Sequence, residues 1–261
     1  MTDIEQDIAE RKAVLDRLRP LGGDALAGLR HYYDVELTFT SNAIEGNTLT
    51  ALETAQLIEH GITVGGKPLR DHLEAQDHYS AVQWVRDLAE AAQPITEDVV
   101  TELHRRIVAR SAPAIAGLYS PHPRRIAGSA VIFPNPLKIP ALMETFGRDL
   151  SGLPDTPATA FRVHDDLVCI HPFSDGNGRT GRLLMNLVLL RGGYPPLAVR
   201  PEDRNDYLRG LEQAQLTADQ TLFLALMRRR LKETLDDYIG ALGQSITPKD
   251  RPRGQGNARG L

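Results

Sequence analysis

Residues 171–182 read HPFSDGNGRTGR and lie between two apolar, helix-like runs. Pro172 should end the first helix, because the residue before a proline is pushed out of the α region. Gly176 and Gly178 can adopt backbone angles that are closed to other residues, so a turn is expected here. The stretch therefore predicts a helix, a glycine turn and a second helix.

The start of the second predicted helix concentrates positive charge. Arg179 and Arg182 are three positions apart and share one face of its first turn. That end of a helix already carries free N–H groups and a partial positive charge, so a cation there costs up to ~1 kcal/mol. Arginines, free amides and a glycine turn in one place indicate a bound anion, most simply a phosphate chain.

His171 and Asp175 add reactive groups to this anion site. An imidazole beside it can take a proton from an attacking hydroxyl, and a lone carboxylate among phosphates usually holds Mg²⁺. Together these groups are typical of phosphate-transfer chemistry. Two alternatives remain open: Asp-Gly and Asn-Gly are common turn dipeptides, and residues 176–181 also fit the dinucleotide fingerprint G-x-G-x-x-G, although no βαβ pattern surrounds them.

The composition is that of an ordinary soluble domain. The chain has 261 residues, 41% hydrophobic and 25% charged, with a formal net charge of −4. This balance argues against a nucleic-acid partner. One cysteine, Cys169, excludes an internal disulfide and a cysteine zinc cluster. No apolar run reaches the ~18 residues of a membrane span, and the first residues do not read as a signal peptide. A cytoplasmic protein without membrane attachment is expected.

Helical periodicity and capping residues predict a mainly helical, all-α chain with one small β-hairpin. The predicted helices cover residues 3–19, about 23–44, 51–60, 70–92, 96–107, 140–150, 156–170, 179–192, 201–215 and 217–240. Thr50 and Thr217 each begin a capping box.

The hairpin is expected between Gly117 and Pro140, where the helical periodicity is lost. Ile126 on one side and residues 131–133 on the other flank a turn of small residues. Residues 244–261 are rich in Gly, Arg and Pro, which predicts a disordered tail.

Residues 171–182 fit H-P-F-x-D-G-N-G-R-x-x-R at every specified position, and the chain therefore resembles the Fic (Fido) family over roughly 34–242. The resemblance implies an all-helical domain that transfers AMP from ATP to a hydroxyl side chain of a target protein and releases pyrophosphate. It suggests an N-terminal helical region at 1–95, a catalytic core at 96–243 and the tail beyond.

The resemblance also implies a role for each residue of the motif. His171 matches the general base and Asp175 the Mg²⁺ ligand, while Arg182 would reach the γ-phosphate of ATP. Phe173 also matches a core anchor. The residues expected to bind the nucleotide are Phe173, Gly176, Asn177, Gly178, Arg179, Gly181, Arg182 and Tyr207.

Two further segments take roles from the resemblance. Ile126, Val131 and Ile132 would belong to a flap that holds the target's backbone as an added strand. Leu208 and Gln215 stand where many relatives have an aromatic residue and an asparagine, so the choice of base stays open.

The segment 41–46, SNAIEG, reads by itself as a helix end with a solvated glutamate. It resembles the family's inhibitory motif, [S/T]-x-x-x-E-[G/N]. The resemblance implies that Glu45, four residues after Ser41, pairs with Arg182 and occupies the guanidinium that should bind the γ-phosphate.

The leading hypothesis is an autoinhibited protein adenylyltransferase that uses ATP and Mg²⁺ on a Ser, Thr or Tyr hydroxyl of a target protein, or of itself. The alternatives are a hydrolase that removes AMP through the same site, and a catalytically silent module that senses a nucleotide or binds a partner. The sequence leaves open the target, a homo-oligomeric state and the signal that relieves inhibition.

Overall fold

A computed structural model describes residues 2–19, 24–126 and 128–245. These residues form ten α-helices joined by loops and three short 3₁₀ turns, and none of them lies in a β-strand. The all-α prediction is confirmed. The helices are α1 Asp3–Arg17, α2 Asp24–Ile44, α3 Ala51–His60, α4 Leu69–Ala91, α5 Glu97–Ile107, α6 Ile139–Leu150, α7 Pro157–Ile170, α8 Asn177–Arg191, α9 Arg204–Thr217 and α10 Thr221–Ser245.

Threonine side chains fix three of the helix starts. Thr50, Thr96 and Thr156 each accept the backbone N–H three residues on, which satisfies a donor that has no partner inside the helix. At Thr50 the capping box is complete, because the Glu53 carboxylate accepts the Thr50 N–H at 2.7 Å.

The cap predicted at Thr217 is wrong. Its hydroxyl donates to the carbonyl of Gln213 at 2.8 Å, so Thr217 closes the last turn of α9 instead of opening α10. Asp219 takes the capping role, since its Oδ1 accepts the Thr221 N–H at 2.9 Å.

Helix α8 lies at the centre of the fold. Every side chain from Leu183 to Leu189 is buried, because α7, α4 and α5 all pack against this helix. Helix α7 approaches closely at Gly181, where a Cβ atom would lie 3.3 Å from Val168. The short link between α7 and α8 therefore has little room to move.

Helix α2 is anchored along its length. Asp34 is buried and accepts from Gln83 at 2.8 Å and Arg86 at 2.6 Å, both on α4. At its end, the Ile44 carbonyl accepts from Arg204 of α9 at 2.8 Å. The division at residue 95 stays a prediction, and helix α4 contacts both α2 and α8.

The predicted hairpin does not form as paired strands among residues 121–126 and 128–135. A turn is present, in which the Ser129 N–H donates to the Ile126 carbonyl at 3.1 Å. The Val131 N–H donates to the Ser129 hydroxyl and its carbonyl accepts from Arg125, so side chains replace a backbone ladder. Prolines explain this, because positions 121, 123 and 134 have no N–H to donate.

Two predictions concern the end of the chain and its surroundings. Helix α10 continues to Ser245, two residues into the predicted tail, and 246–261 lie outside the described residues. Within the described ranges, no helix combines the length and apolar character needed to cross a membrane.

Candidate active site

The chain turns sharply where α7 ends. His171 has φ 51° and ψ 55°, in the left-handed region, and its N–H donates to the Leu167 carbonyl at 2.9 Å. Pro172 follows, so the helix cannot continue. The turn separates the His171 imidazole from the buried face of α7 and places it on the wall of a cleft.

Asn177 closes the loop that follows. Its Oδ1 accepts from the Phe173 N–H at 2.9 Å, and its Nδ2 donates to the Phe173 carbonyl at 2.8 Å. The side chain is buried and both of its polar ends are used within the loop. Asn177 thus holds the loop in shape, and the nucleotide contact assigned to it stays a prediction.

His104 of α5 supports the loop from behind, and sequence reasoning missed it. Its ring stacks on Phe173 with centroids 3.7 Å apart and planes 5° from parallel. Nδ1 accepts the Gly117 N–H at 3.0 Å, so Nε2 carries the proton and donates to the Asp175 carbonyl at 3.0 Å. Burial lowers the pKa of His104 to about 4 and keeps it neutral.

Arg179 lies behind the loop with only 2% of its side chain exposed. Its Nε and Nη1 atoms have no hydrogen-bond partner among the described residues. The Glu74 and Asp175 carboxylates lie at 3.5 and 3.6 Å, which is long for a charge-assisted hydrogen bond. A buried cation with unused donors fits a bound anion.

Arg182 is also buried, but its donors are occupied. It donates to the Ser41 hydroxyl at 2.9 Å, the Ser41 carbonyl at 2.8 Å and Glu45 Oε1 at 2.7 Å. Burial opposes the charge, but Tyr207 and Glu45 outweigh that effect and the pKa of Arg182 is raised. Gly178 makes room for Glu45, since a Cβ there would collide with Oε1 of Glu45.

Tyr207 supports Arg182. Its hydroxyl accepts from Arg182 Nη1 at 3.2 Å and lies 2.8 Å from His164 Nε2. Burial, and after it the Arg182 charge, lowers the pKa of His164 to about 3, so this imidazole is neutral. Tyr207 is only 1% exposed, and its nucleotide contact stays a prediction.

Asp175 is the exposed acidic group of the loop. Its Oδ1 accepts the Gly176 N–H at 2.7 Å and its Oδ2 accepts from Arg70 at 2.8 Å. The described residues contain no cluster of three or more His, Cys, Asp or Glu side chains that could hold a metal. A single carboxylate still fits Mg²⁺, which commonly binds one protein carboxylate and takes phosphates and water for the rest.

Glu45, His171, Arg182 and Tyr207 meet at a cleft of about 750 Å³. His171 lines it, with its ring stacked on Phe133 at 3.9 Å between centroids. Burial lowers the pKa of His171 to about 4, against the opposing effects of the Val168 backbone and Glu45. The predicted residues that line the cleft are Glu45, Ile126, Val131, His171, Gly178, Arg182, Tyr207, Leu208 and Gln215.

Other predicted residues lie elsewhere. Phe173 is fully buried, as expected of a core anchor, and Ile132 is 73% exposed. The cleft lining does not include Ser41, Phe173, Asp175, Gly176, Asn177, Arg179, Gly181 or Ile132. Arg70 and Glu74 of α4 were missed, because nothing near them in the sequence marks their approach to the loop.

Comparisons with known proteins agree on the family. Residues 94–189 match the model of the Fic/DOC family. A relative from Nematostella vectensis, protein adenylyltransferase Fic, is 36% identical over 210 residues, covering 78% of this chain and 48% of the relative. The chain spans about half the length of the curated relatives it matches.

Two solved structures are similar over most of the chain. Fic-1 from C. elegans has a TM-score of 0.82 at 27% identity, covering 93% of this chain and 73% of that one. A Fic domain containing signaling protein from Bacteroides thetaiotaomicron has a TM-score of 0.81 at 28% identity, covering 91% and 97%. The helical fold and the loop at 171–182 define a Fic domain, and the chain is a Fic-domain protein of the Fic/DOC family.

Proposed function

We propose that this chain transfers AMP from ATP to a hydroxyl side chain of a target protein, and that Glu45 holds it in an inhibited state. The observation that carries the proposal is the neutral His171 at the cleft together with the buried, unsatisfied guanidinium of Arg179. A base and a cation with donors for phosphate oxygens are what nucleotidyl transfer requires of the protein. The names of the matched relatives support the same reaction.

In the proposed reaction, His171 accepts the proton of the target's hydroxyl. The hydroxyl oxygen then forms a bond to the α-phosphorus of ATP while the bond to the bridging oxygen breaks, and pyrophosphate leaves. The low pKa keeps His171 unprotonated at neutral pH, and the arriving phosphates would raise that pKa towards a value better suited to a base. Arg179 would hold the phosphates in line.

Asp175 would hold Mg²⁺, which neutralises charge on the phosphates when it is bound. This role rests on the position of the Asp175 carboxylate, next to Arg179 and exposed to the solvent. The hydroxyl acceptor would be a Ser, Thr or Tyr side chain on a separate protein or on the chain itself.

Inhibition follows from the contact between Glu45 and Arg182. While Glu45 accepts from Nη2, that donor is not available to a γ-phosphate, and the carboxylate also repels one. ATP would then bind with its α-phosphorus out of line for attack, which is costly because transfer depends on near-attack geometry.

The same arrangement favours one alternative, removal of AMP from a modified protein. The Glu45 side chain is 38% exposed and lines the cleft together with His171. A carboxylate in that position can orient a water molecule for attack on a phosphodiester. The third hypothesis, a silent binding module, has no specific observation in its favour.

The variant Glu45→Gly tests the proposal and the alternative together. Transfer of labelled AMP from ATP to the chain itself or to proteins of an extract should rise about tenfold, because a charge-assisted hydrogen bond of ~1.5 kcal/mol no longer competes for Arg182. Removal of AMP from a pre-modified protein should fall if Glu45 orients water.

Glu59→Gly is the matched control, since Glu59 is 40% exposed and also contacts a basic side chain, that of His31. It should leave both activities unchanged. Equal incorporation by wild type, Glu45→Gly and Glu59→Gly would refute inhibition by Glu45, and no incorporation by any of them would refute the transferase.

A further inference from the structure

Helix α4 brings an arginine to the loop of the active site. Arg70 Nη2 donates to Asp175 Oδ2 at 2.8 Å, on the carboxylate that would hold the metal ion. The two residues are 105 positions apart in the sequence. Both side chains are partly exposed, 60% for Arg70 and 43% for Asp175, so the contact can open without unfolding the core.

This contact belongs to a small charge cluster. Arg70 Nε donates to Glu74 Oε1 at 2.9 Å, and Arg179 lies 3.5 Å from Glu74 and 3.6 Å from Asp175. Two arginines thus face two carboxylates, and the formal charges of the four groups cancel. A divalent cation at Asp175 Oδ2 would compete with Arg70 for that oxygen, because two cations at such short range repel each other strongly.

The cluster is also tied to the segment that follows Glu45. Asn47 Nδ2 donates to Glu74 Oε2 at 3.1 Å, and Thr48 donates through its N–H and its hydroxyl to Asp71 at 2.8 and 2.6 Å. Arg70, Asp71 and Glu74 all lie in the first two turns of α4. Glu45, which contacts Arg182, and Arg70, which contacts Asp175, therefore lie in neighbouring parts of the same N-terminal region.

We propose that Arg70 makes a second inhibitory contact, here called a latch, beside that of Glu45. Glu45 holds the arginine meant for the γ-phosphate, and Arg70 holds the carboxylate meant for the metal, so a metal–nucleotide complex must displace both contacts. The proposal rests on the proposed function for the role of Asp175. Because binding linkage is reciprocal, a metal ion at Asp175 also weakens the hold of Arg70 on the loop.

The test uses Mn²⁺ without nucleotide and measures the paramagnetic broadening of the backbone amide signals of residues 176–178. Arg70→Gln should reach half-broadening at about two- to fivefold lower Mn²⁺ than wild type, as expected when an exposed ion pair stops competing. Arg70→Lys, which keeps the charge, should lie closer to wild type.

Two controls define the site. Asp175→Asn should abolish the broadening and remove the effect of Arg70→Gln. Arg148→Gln removes a similarly exposed arginine of α6 that is paired with Asp149, not with Asp175, and it should behave as wild type. Equal Mn²⁺ midpoints in wild type and Arg70→Gln, a higher midpoint in Arg70→Gln, or no broadening in any variant would each overturn the proposal.

A second measurement separates a latch from a phosphate ligand. The Kd of a non-hydrolysable ATP analogue is measured in EDTA and in Mn²⁺. A latch predicts that Arg70→Gln leaves the Kd in EDTA unchanged and lowers it in Mn²⁺; weaker binding in both conditions would mean that Arg70 binds phosphate, and would overturn the latch. Neither readout depends on AMP transfer, so a failed transfer assay would count against the proposed function alone.

Discussion

At the scale of single residues, the two arginines of the loop differ in how far their hydrogen-bond donors are used. Arg179 is buried with two donors unused, whereas Arg182 has its donors on Ser41, Glu45 and Tyr207. A phosphate chain would therefore meet one arginine that is ready and one that must first be released. In the proposed mechanism, binding of the nucleotide and its productive alignment are therefore separate events.

The variant His171→Ala should separate chemistry from binding. In the Glu45→Gly background, AMP transfer should fall ~10²–10⁴-fold, the usual cost of losing a general base, while the Kd for ATP stays within about threefold. The reason is that, in the proposed mechanism, the loop amides and Arg179 hold the nucleotide and His171 acts on the other substrate. Labelled-AMP incorporation and calorimetric titration with ATP measure the two effects. A variant that keeps more than half of the transfer rate would remove His171 from its role.

The sequence predicted the residues of the loop well because they are contiguous. The glycines, arginines, His171 and Asp175 stand within twelve positions, and their chemistry could be read together. His104 and Arg70 could not be found this way, since each reaches the loop from a helix distant in sequence. A histidine on the apolar face of α5 gives no sign that it donates to the carbonyl of Asp175.

At the scale of elements, the loop depends on helices that carry no residue of the motif. Helix α5 holds His104 against Phe173, and α6 in turn packs against the start of α5. Gly147 of α6 lies so close to Glu97 that a Cβ atom would be 3.0 Å from the Glu97 Cα and closer still to its N. Backbone cannot move aside as a flexible side chain can.

Gly147→Ala should therefore destabilise the fold by about 1–3 kcal/mol, although alanine is the better helix former, because overpacking outweighs propensity. Gly152→Ala is the matched control, since nothing lies within 4 Å of its Cβ position. The free energy of unfolding in urea measures both variants. A Gly147→Ala protein as stable as the Gly152→Ala control would contradict the close approach of α5 and α6.

Helices were predicted more reliably than the flap for a physical reason. Helix starts depend on local capping residues, such as Thr50, Thr96 and Thr156, which can be recognised in the sequence without knowledge of the tertiary structure. From Val131 to Phe133 the side chains are alternately buried and exposed, as they are in a strand. Strand pairing also needs backbone donors on both sides, however, and prolines remove several of them. The backbone of Val131 instead forms hydrogen bonds with the side chains of Ser129 and Arg125.

At the scale of the whole molecule, buried neutral histidines are spread through the fold. His78, His104 and His164 lie on three different helices, and burial lowers the pKa of each: well below its usual value for His78, to about 4 for His104 and to about 3 for His164. These groups stay neutral in the folded chain but become protonated near pH 6.5 once it unfolds.

Stability should consequently fall as the pH drops below about 6.5. Between that value and the folded-state pKa values the unfolded chain binds more protons, so stability rises with pH there, by up to ~1.4 kcal/mol per unit for each imidazole. Urea unfolding at pH 7.0 and 5.5 measures the difference. His164→Gln should reduce this difference in the free energy of unfolding. His60→Ala, which changes an exposed histidine, should leave the difference as it is in the wild type. A loss of stability that is the same in all three proteins would contradict this account.

The left-handed backbone of His171 makes reactivity and stability competing demands at one position. A glycine there would relieve about 1 kcal/mol of crowding between the Cβ atom and the backbone, but it would also remove the imidazole. The ring stacks on Phe133, but its Nδ1 is buried without a hydrogen-bond partner among the described residues. In the proposed mechanism the imidazole is needed for transfer, so this position accepts backbone strain in exchange for a reactive group.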